Sequence, residues 1–274
     1  MLVCTLGDLT LDVIVRLAAP LAPGGDTDAT VVLGAGGQAA NVAAWSVALG
    51  ADARYVGKTG ADDAGDLARA RLARHGVAVL GPVAGRNGVI CSLVAPDGER
   101  SMAADRGVAM ELRPEELASA WFSRSDHLFV SGYALMREPA RSAAFAAVEL
   151  ARAAGAAVSV DLASWSAMRD AGAEDFRAML IELAPDIVFA NEDEERVVRG
   201  PLPRVTWILK RGARGCSFHG DERPALPAER VIDTTGAGDA LAAGWIVGGP
   251  ELALEAAARC VAQLGALPAL GSDR

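Results

Sequence analysis

Asp233-Thr234-Thr235-Gly236-Ala237-Gly238-Asp239, followed by Ala240-Leu241-Ala242-Ala243-Gly244, is the stretch on which the reading of this chain turns. Val231-Ile232 leads in as an extended segment and the part after Gly238 is helical, so the glycines fall where loop becomes helix. There they let the backbone turn tightly with several N–H groups facing one point. Such donors at the start of a helix form an anion site suited to a transferring phosphoryl group. Asp239 sits beside it, where a carboxylate can accept the proton of an attacking hydroxyl. The plain alternative is a Gly-rich turn with an Asp capping the helix. The length of the string argues against that alternative.

Working outward, strand-like and helix-like segments alternate. Leu2–Leu6, Ala53–Val56, Leu128–Val130, Ala157–Val160, Ile187–Ala190 and Thr206–Leu209 read as apolar strands. Gln38–Leu49, Asp63–His75, Ala140–Ala154, Phe176–Leu183 and Gly238–Val247 read as helices, several stopping at a glycine. Continuous apolar strands separated by helices predict an α/β fold with a mostly parallel, doubly wound sheet flanked by helices, in a single domain spanning 1–274. Two regions break the rhythm. Leu11–Arg16 and Ala29–Leu33 are joined by the turn-forming run Pro23-Gly24-Gly25-Asp26. Val89–Val94 and Arg100–Ala103 flank Pro96-Asp97-Gly98-Glu99, a hairpin signal. These segments, at about 11–33 and 88–104, suit a small β lid over one edge and not the central sheet.

The 274 residues are 51% hydrophobic, enough for one large core, and aromatics are only 5%. A net charge of −9 argues against nonspecific binding to nucleic acid or an anionic membrane. Phosphate ligands stay compatible with it, since backbone N–H groups and one or two cations hold them locally. Cys4, Cys91, Cys216 and Cys260 are widely spaced, and His75, His127 and His219 form no ligand cluster, so no zinc site is suggested. With no signal peptide pattern and apolar stretches too short for a bilayer, the expected location is cytoplasmic.

The string at Asp233–Asp239 resembles the C-terminal signature of the ribokinase-like (PfkB) carbohydrate kinases, and Gly36-Gly37-Gln38-Ala39-Ala40-Asn41-Val42-Ala43 resembles their N-terminal signature. Gly7-Asp8 with Asp12, Gly57-x-x-Gly60-x-Asp62-x-x-Gly65, Asn191-Glu192-Asp193-Glu194 and Gly212-x-x-Gly215 resemble further family features, in order, from about residue 3 to about 268. The resemblance implies a ribokinase-like fold and a phosphotransferase using ATP and Mg2+, and leaves open a monovalent cation such as K+. It implies Asp239 as catalytic base and Gly236, Ala237 and Gly238 as an anion hole. Asp12, Gly36, Gly37 and Asn41 would bind substrate hydroxyls. Asn191, Lys210, Gly212, Gly215 and Thr234 would face the nucleotide, with Glu194 organising Mg2+ through water. Each has a bland reading: an edge-strand charge for Asp12, a surface residue for Asn41, a plain helix-start turn for Gly36-Gly37, and a dipole-favoured acidic helix start for Asn191–Glu194.

The sequence departs from the family pattern in two places. Only 35 residues follow Asp239, so the helical region that usually shapes the adenine pocket is expected to be trimmed. Lys210-Arg211 stands where Thr-Leu is common, and could meet phosphate or sit at the surface. Gly57-Lys58-Thr59 imitates the end of a Walker A loop, but its first glycine would be Asp52. No G-x-G-x-x-G follows the first strand, so a dinucleotide site is not supported.

The expected activity is phosphorylation of a hydroxymethyl group on a small sugar or sugar acid. From Met1 to Arg106 the only Trp, Tyr or Phe residues are Trp45 and Tyr55, which is poor for stacking a nucleobase, although Trp45 could share a helix face with Asn41. Arg100 and Arg106 could meet a substrate carboxylate or be solvated charge. A nucleoside kinase of the same family and a non-catalytic sugar or nucleotide sensor are the alternatives. Water exclusion during transfer gives a closing lid a purpose, and its exposed strand edges make a homodimer through the lid an expectation.

Overall fold

The computed structural model describes residues 1–97 and 100–270, Arg100 by its backbone alone. In chain order the strands are β1 (Leu2–Leu6), β2 (Thr10–Leu17), β3 (Ala29–Gly36), β4 (Asp52–Val56), β5 (Ala78–Leu80), β6 (Asn87–Val94), β7 (Arg100–Gly107), β8 (His127–Ser131), β9 (Ala157–Asp161), β10 (Ile187–Asn191), β11 (Thr206–Lys210), β12 (Cys216–Phe218) and β13 (Asp221–Arg223). The α-helices are α1 (Gln38–Ala48), α2 (Asp63–Arg74), α3 (Ala140–Ala153), α4 (Trp165–Ala171), α5 (Ala173–Leu183), α6 (Glu192–Val197), α7 (Ala237–Gly248) and α8 (Pro250–Val261).

One sheet runs β13-β12-β11-β10-β9-β8-β1-β4-β5, and every pairing from β11 to β5 is parallel. Successive side chains in a strand point to opposite faces, and here both faces are apolar. Leu128, Val130, Val160, Val188 and Ala190 pack with Ala143, Ala147, Phe176 and Leu180 of α3 and α5. Val3, Phe129, Phe189 and Ile208 pack with Val42 and Trp45 of α1 and with the Ala-rich faces of α7 and α8. Small residues let those helices approach closely: a Cβ on Gly244 of α7 would stand 2.5 Å from the Leu252 carbonyl oxygen of α8.

The two extended pairs of segments form a second sheet, ordered β3-β2-β6-β7. Its outer pairings are antiparallel, and its middle pairing, β2 with β6, is parallel. Each strand runs longer than its apolar core suggested, and Gly98 and Glu99 of the expected hairpin turn lie outside the described residues. The Gly57–Gly65 motif ties the sheets together. Asp62 caps α2 by accepting from Gly65 N–H at 2.9 Å and also accepts from Asn87 N–H at 3.0 Å. Asn87, the first residue of β6, in turn accepts from Gly60 N–H at 2.9 Å.

Strands β5, β12 and β13, three residues each, were too short for periodicity to reveal. After α7 the chain continues directly into α8, which packs on it. Gly249-Pro250 is its start signal, with Pro at the first helical position. Val231-Ile232 is not a strand; Ile232 N–H donates to the Val261 carbonyl oxygen at 2.8 Å. No helix among the described residues is long and apolar enough to cross a membrane.

Candidate functional site

The loop before α7 is held from below. Asp233 accepts from Thr235 N–H at 2.9 Å and from its hydroxyl, and its other oxygen accepts from Gly265 N–H at 3.0 Å. Gly236 caps the helix at φ 77°, and a Cβ there would stand 2.5 Å from that of Ala266. Thr234, exposed on the loop, accepts from Ala237 N–H at 3.3 Å. The amides of the first helical turn, Gly238 and Asp239 among them, have no partner within a helix. Amides placed in this way can receive an anion.

Asp239 Oδ2 accepts from Asn41 Nδ2 at 2.8 Å, a bond spanning 198 residues. Asn41 is therefore no surface residue; it is buried on α1 and aimed at α7. Burial pushes the Asp239 carboxyl up to about 7, with repulsion from Asp161 adding to it and Asn41 and Lys210 opposing it. A carboxyl poised there exchanges a proton near neutral pH.

Asp161, Asn191 and Lys210 end the adjacent parallel strands β9, β10 and β11. Ligands of open α/β sheets gather outside such carboxyl ends. Lys210 Nζ donates to Asp161 Oδ2 at 2.6 Å. Burial works against that ammonium, yet Asp161 and Glu194 outweigh it and hold the lysine well above its usual range. A Cβ on Gly238 would lie 3.2 Å from Lys210 Nζ, so the ammonium reaches the first turn of α7. Arg211 instead pairs outward with Glu222 and Glu192, and Arg214 with Glu192.

Asn191 and Glu194 form a reciprocal capping box on α6: Asn191 Oδ1 accepts from Glu194 N–H at 2.9 Å, and Glu194 accepts from Asn191 N–H at 2.8 Å. The helix-start reading is thus part of the truth. Glu194 is also buried, and burial raises its carboxyl, Lys210 opposing and Asp161 adding. Gly212 (φ 56°) and Gly215 (φ 99°) shape the next loop, where a Cβ on Gly215 would meet the Arg223 carbonyl oxygen at 2.0 Å.

On the other side, Asp12 of β2 accepts from Thr10 Oγ1 at 2.8 Å. Burial pushes its carboxyl up to about 6, with Thr10 opposing and nearby Asp8 adding. The paired glycines are demanded by close approach: a Cβ on Gly36 would sit 2.0 Å from Asp12 Oδ2, and one on Gly37 (φ 100°) 2.3 Å from the Asp8 carbonyl oxygen. Arg106 at the end of β7 donates to buried Asp8 at 2.6 Å and lies over the Tyr133 ring, 3.4 Å from its centroid.

Asp239, Asn41, Lys210, Asp161 and Glu194 thus form one polar cluster, with Asp12 and Gly36 of the small sheet and the adjoining Gly37 on the other side. Trp45 is not brought there; its Nε1 donates to the Ala266 carbonyl oxygen at 2.8 Å beneath the loop. Two site residues escaped the sequence reading. Asp161 is a lone acid directly after the apolar run Ala157–Val160, a signal that was available. Tyr133 lies past β8, outside the span counted for aromatics, so the aromatic-poor argument did not cover the surroundings of Arg106. The side chain of Arg100 lies outside the described residues.

Residues 1–270 match the family model described as pfkB family carbohydrate kinase. An ATP-dependent ribose-1-phosphate kinase of Halopiger xanaduensis is 34% identical over 82% of this chain and 78% of its own. Fructokinase-1 of Oryza sativa subsp. japonica is 32% identical over 75% and 70%. Among solved structures, adenosine kinase from Sinorhizobium meliloti superposes with a TM-score of 0.86 at 24% identity, covering 98% of this chain and 96% of that one. An E. coli protein assigned as a ribokinase II, in complex with ATP and Mg2+, reaches 0.81 at 22% identity over 96% and 94%. At those identities the structural likeness is one of fold.

Proposed function

The chain belongs to the pfkB family of carbohydrate kinases, and from that premise we propose that it transfers the γ-phosphoryl group of ATP to a hydroxymethyl group of a small sugar or sugar acid. The observation that carries the reading is Asp239, held by Asn41 beside the amides of α7 with its carboxyl near 7. Asp239 takes the hydroxyl proton as that oxygen attacks phosphorus and ADP leaves. The amides of Gly236 and Gly238 and the Lys210 ammonium face the charge on the phosphoryl oxygens, the Ala237 N–H being engaged by the Thr234 carbonyl oxygen at 3.3 Å.

Two carboxylates, Asp161 and Glu194, surround the single Lys210 ammonium, a surplus of negative charge that fits a hydrated divalent cation near Asn191 and Glu194. Magnesium keeps much of its water and needs no all-protein cage. When bound, it supplies charge neutralisation between the phosphates. Asp12 and Asn41 orient the acceptor hydroxyls. The second sheet serves as a lid that excludes water. Its edge strand β3, with Val31, Val32 and Leu33 exposed, pairs two copies into a homodimer, which sedimentation velocity checks.

A sugar acceptor is favoured over a nucleoside because one face of Tyr133 is already occupied by Arg106. The test is a competition at equal concentrations among ribose, fructose, 2-keto-3-deoxygluconate, adenosine and pseudouridine. A sugar or sugar acid is expected to show the highest kcat/KM. A nucleoside ahead by tenfold overturns the acceptor assignment.

A further inference from the structure

Beyond Arg106 the acceptor side opens into a cavity of about 700 Å³ whose lining includes Asp105, Arg106, Met110, Tyr133, Arg137 and Ser164. Its charges do not cancel. Arg106 is matched by Asp8 at 2.6 Å, and Asp105 is matched by Arg86 at 2.7 Å and by Gly107 N–H at 3.0 Å. Arg137 is exposed, and among the described residues no carboxylate pairs with it. A site with one cation to spare stands out in a chain whose net charge is −9.

The arginine nearest the reacting centre is also held in place. Its Nη1 is tied to a buried carboxylate and its plane lies on Tyr133, so the rest of the guanidinium fork is fixed before any ligand arrives. A planar fork held in this way suits carboxylate and phosphate oxygens. The cavity also connects with the acceptor side: Asp8, which anchors Arg106, has its carbonyl oxygen 2.3 Å from where a Cβ on Gly37 would stand.

We propose that this cavity holds an oxyanion, phosphate or carboxylate, at the end of the acceptor away from the hydroxyl that is phosphorylated. The inference rests on the kinase reading and narrows it: the natural acceptor is an anionic sugar, and Arg106 and Arg137 select it. Tyr133 is a positioning residue that acts through Arg106.

The experiment is calorimetric titration of the whole protein, without ATP, with ribose, ribose 1-phosphate and 2-keto-3-deoxygluconate. At least one anionic ligand is expected to bind tenfold or more tightly than ribose. Arg137→Gln should shrink that ratio at least fivefold. Arg106→Lys, which keeps the charge beside Asp8 and removes the fork, should also shrink it, with circular dichroism checking the fold. Tighter binding of ribose 1-phosphate assigns the site to phosphate, and tighter binding of the sugar acid assigns it to carboxylate. Equal binding of charged and neutral ligands, no detectable binding of any, or a ratio unchanged in both variants overturns the proposal. Turnover of the same ligands with ATP is scored separately. If none of these, nor fructose, adenosine or pseudouridine, is phosphorylated, the kinase reading fails, while the binding ratio still decides whether the cavity takes an oxyanion.

Discussion

Along β8 all five residues, His127–Ser131, are buried, whereas the first five residues of β3, Ala29–Leu33, are exposed. The large sheet is covered by helices on both faces. It carries Asp161, Asn191 and Lys210 at its strand ends, and α7 docks over it. The small sheet is open on one side and carries Asp12, Gly36 and Arg106. The groups proposed for the phosphoryl step thus stand on a scaffold that cannot shift without repacking a core. The groups proposed for the acceptor stand on an element with much less buried surface, where opening costs less. Chemistry and acceptor choice should therefore separate by sheet.

The largest expected effect is on chemistry. Asp239→Asn should fold and bind ATP yet lose turnover by about 10³-fold or more. Single-turnover kinetics check this, and a loss below tenfold removes Asp239 as base. In the wild type, kcat/KM should rise with pH through an apparent pKa near 7, since the base must be deprotonated. A profile flat from pH 5.5 to 8.5 contradicts the assignment.

Phe129, buried between the large sheet and the α1/α7/α8 layer, should cost about 3–5 kcal/mol when cut to Ala. Val31→Thr on the small sheet should stay within about 0.5 kcal/mol. Denaturant unfolding compares the two, and similar costs would break the contrast between the sheets. On the acceptor side, Asp12→Asn should raise acceptor KM on the order of tenfold while kcat moves only a few-fold, the loss of about one charged hydrogen bond. A matching loss in kcat would place Asp12 in the chemistry instead. Glu194→Gln should raise the magnesium concentration for half-maximal activity several-fold, and an unchanged titration would leave Glu194 as a cap alone.

A further effect is on how stability changes with pH. The Asp239 carboxyl sits near 7 in the folded chain against about 3.9 unfolded. The folded state therefore holds its proton more tightly, and this contribution to stability fades as pH rises from about 4 through 7. Asn at this position removes that penalty, so the Tm of Asp239→Asn relative to wild type should be more favourable at pH 8 than at pH 5. Differential scanning calorimetry reads the difference, and an opposite trend means the carboxylate is better solvated than its burial implies.

Periodicity and punctuation made much legible in advance. Apolar runs of five or so residues between glycine-stopped helices announced the parallel sheet, because burial on both faces leaves no polar side to alternate. The turn-rich pairs announced a second sheet, though not the parallel register of β2 with β6, which no local turn encodes. Asp239, Gly36-Gly37 and Asn191–Glu194 stood out by local pattern. Asp161 left only a weak sign, a lone acid after an apolar run, and Tyr133 left none, since a lone aromatic carries no spacing to read.

By itself, then, the amino-acid sequence determined the family, the layered α/β class and the local devices. A glycine string at a helix start, a capping box and a strand period are all set within a few residues of one another. Only the tertiary structure decided which charges meet. Asn41 reaches Asp239 across 198 residues, Lys210 reaches Asp161 across 49 and Arg106 reaches Asp8 across 98. Their protonation follows from burial and from neighbours brought in by strand order, quantities that do not exist until the chain is folded.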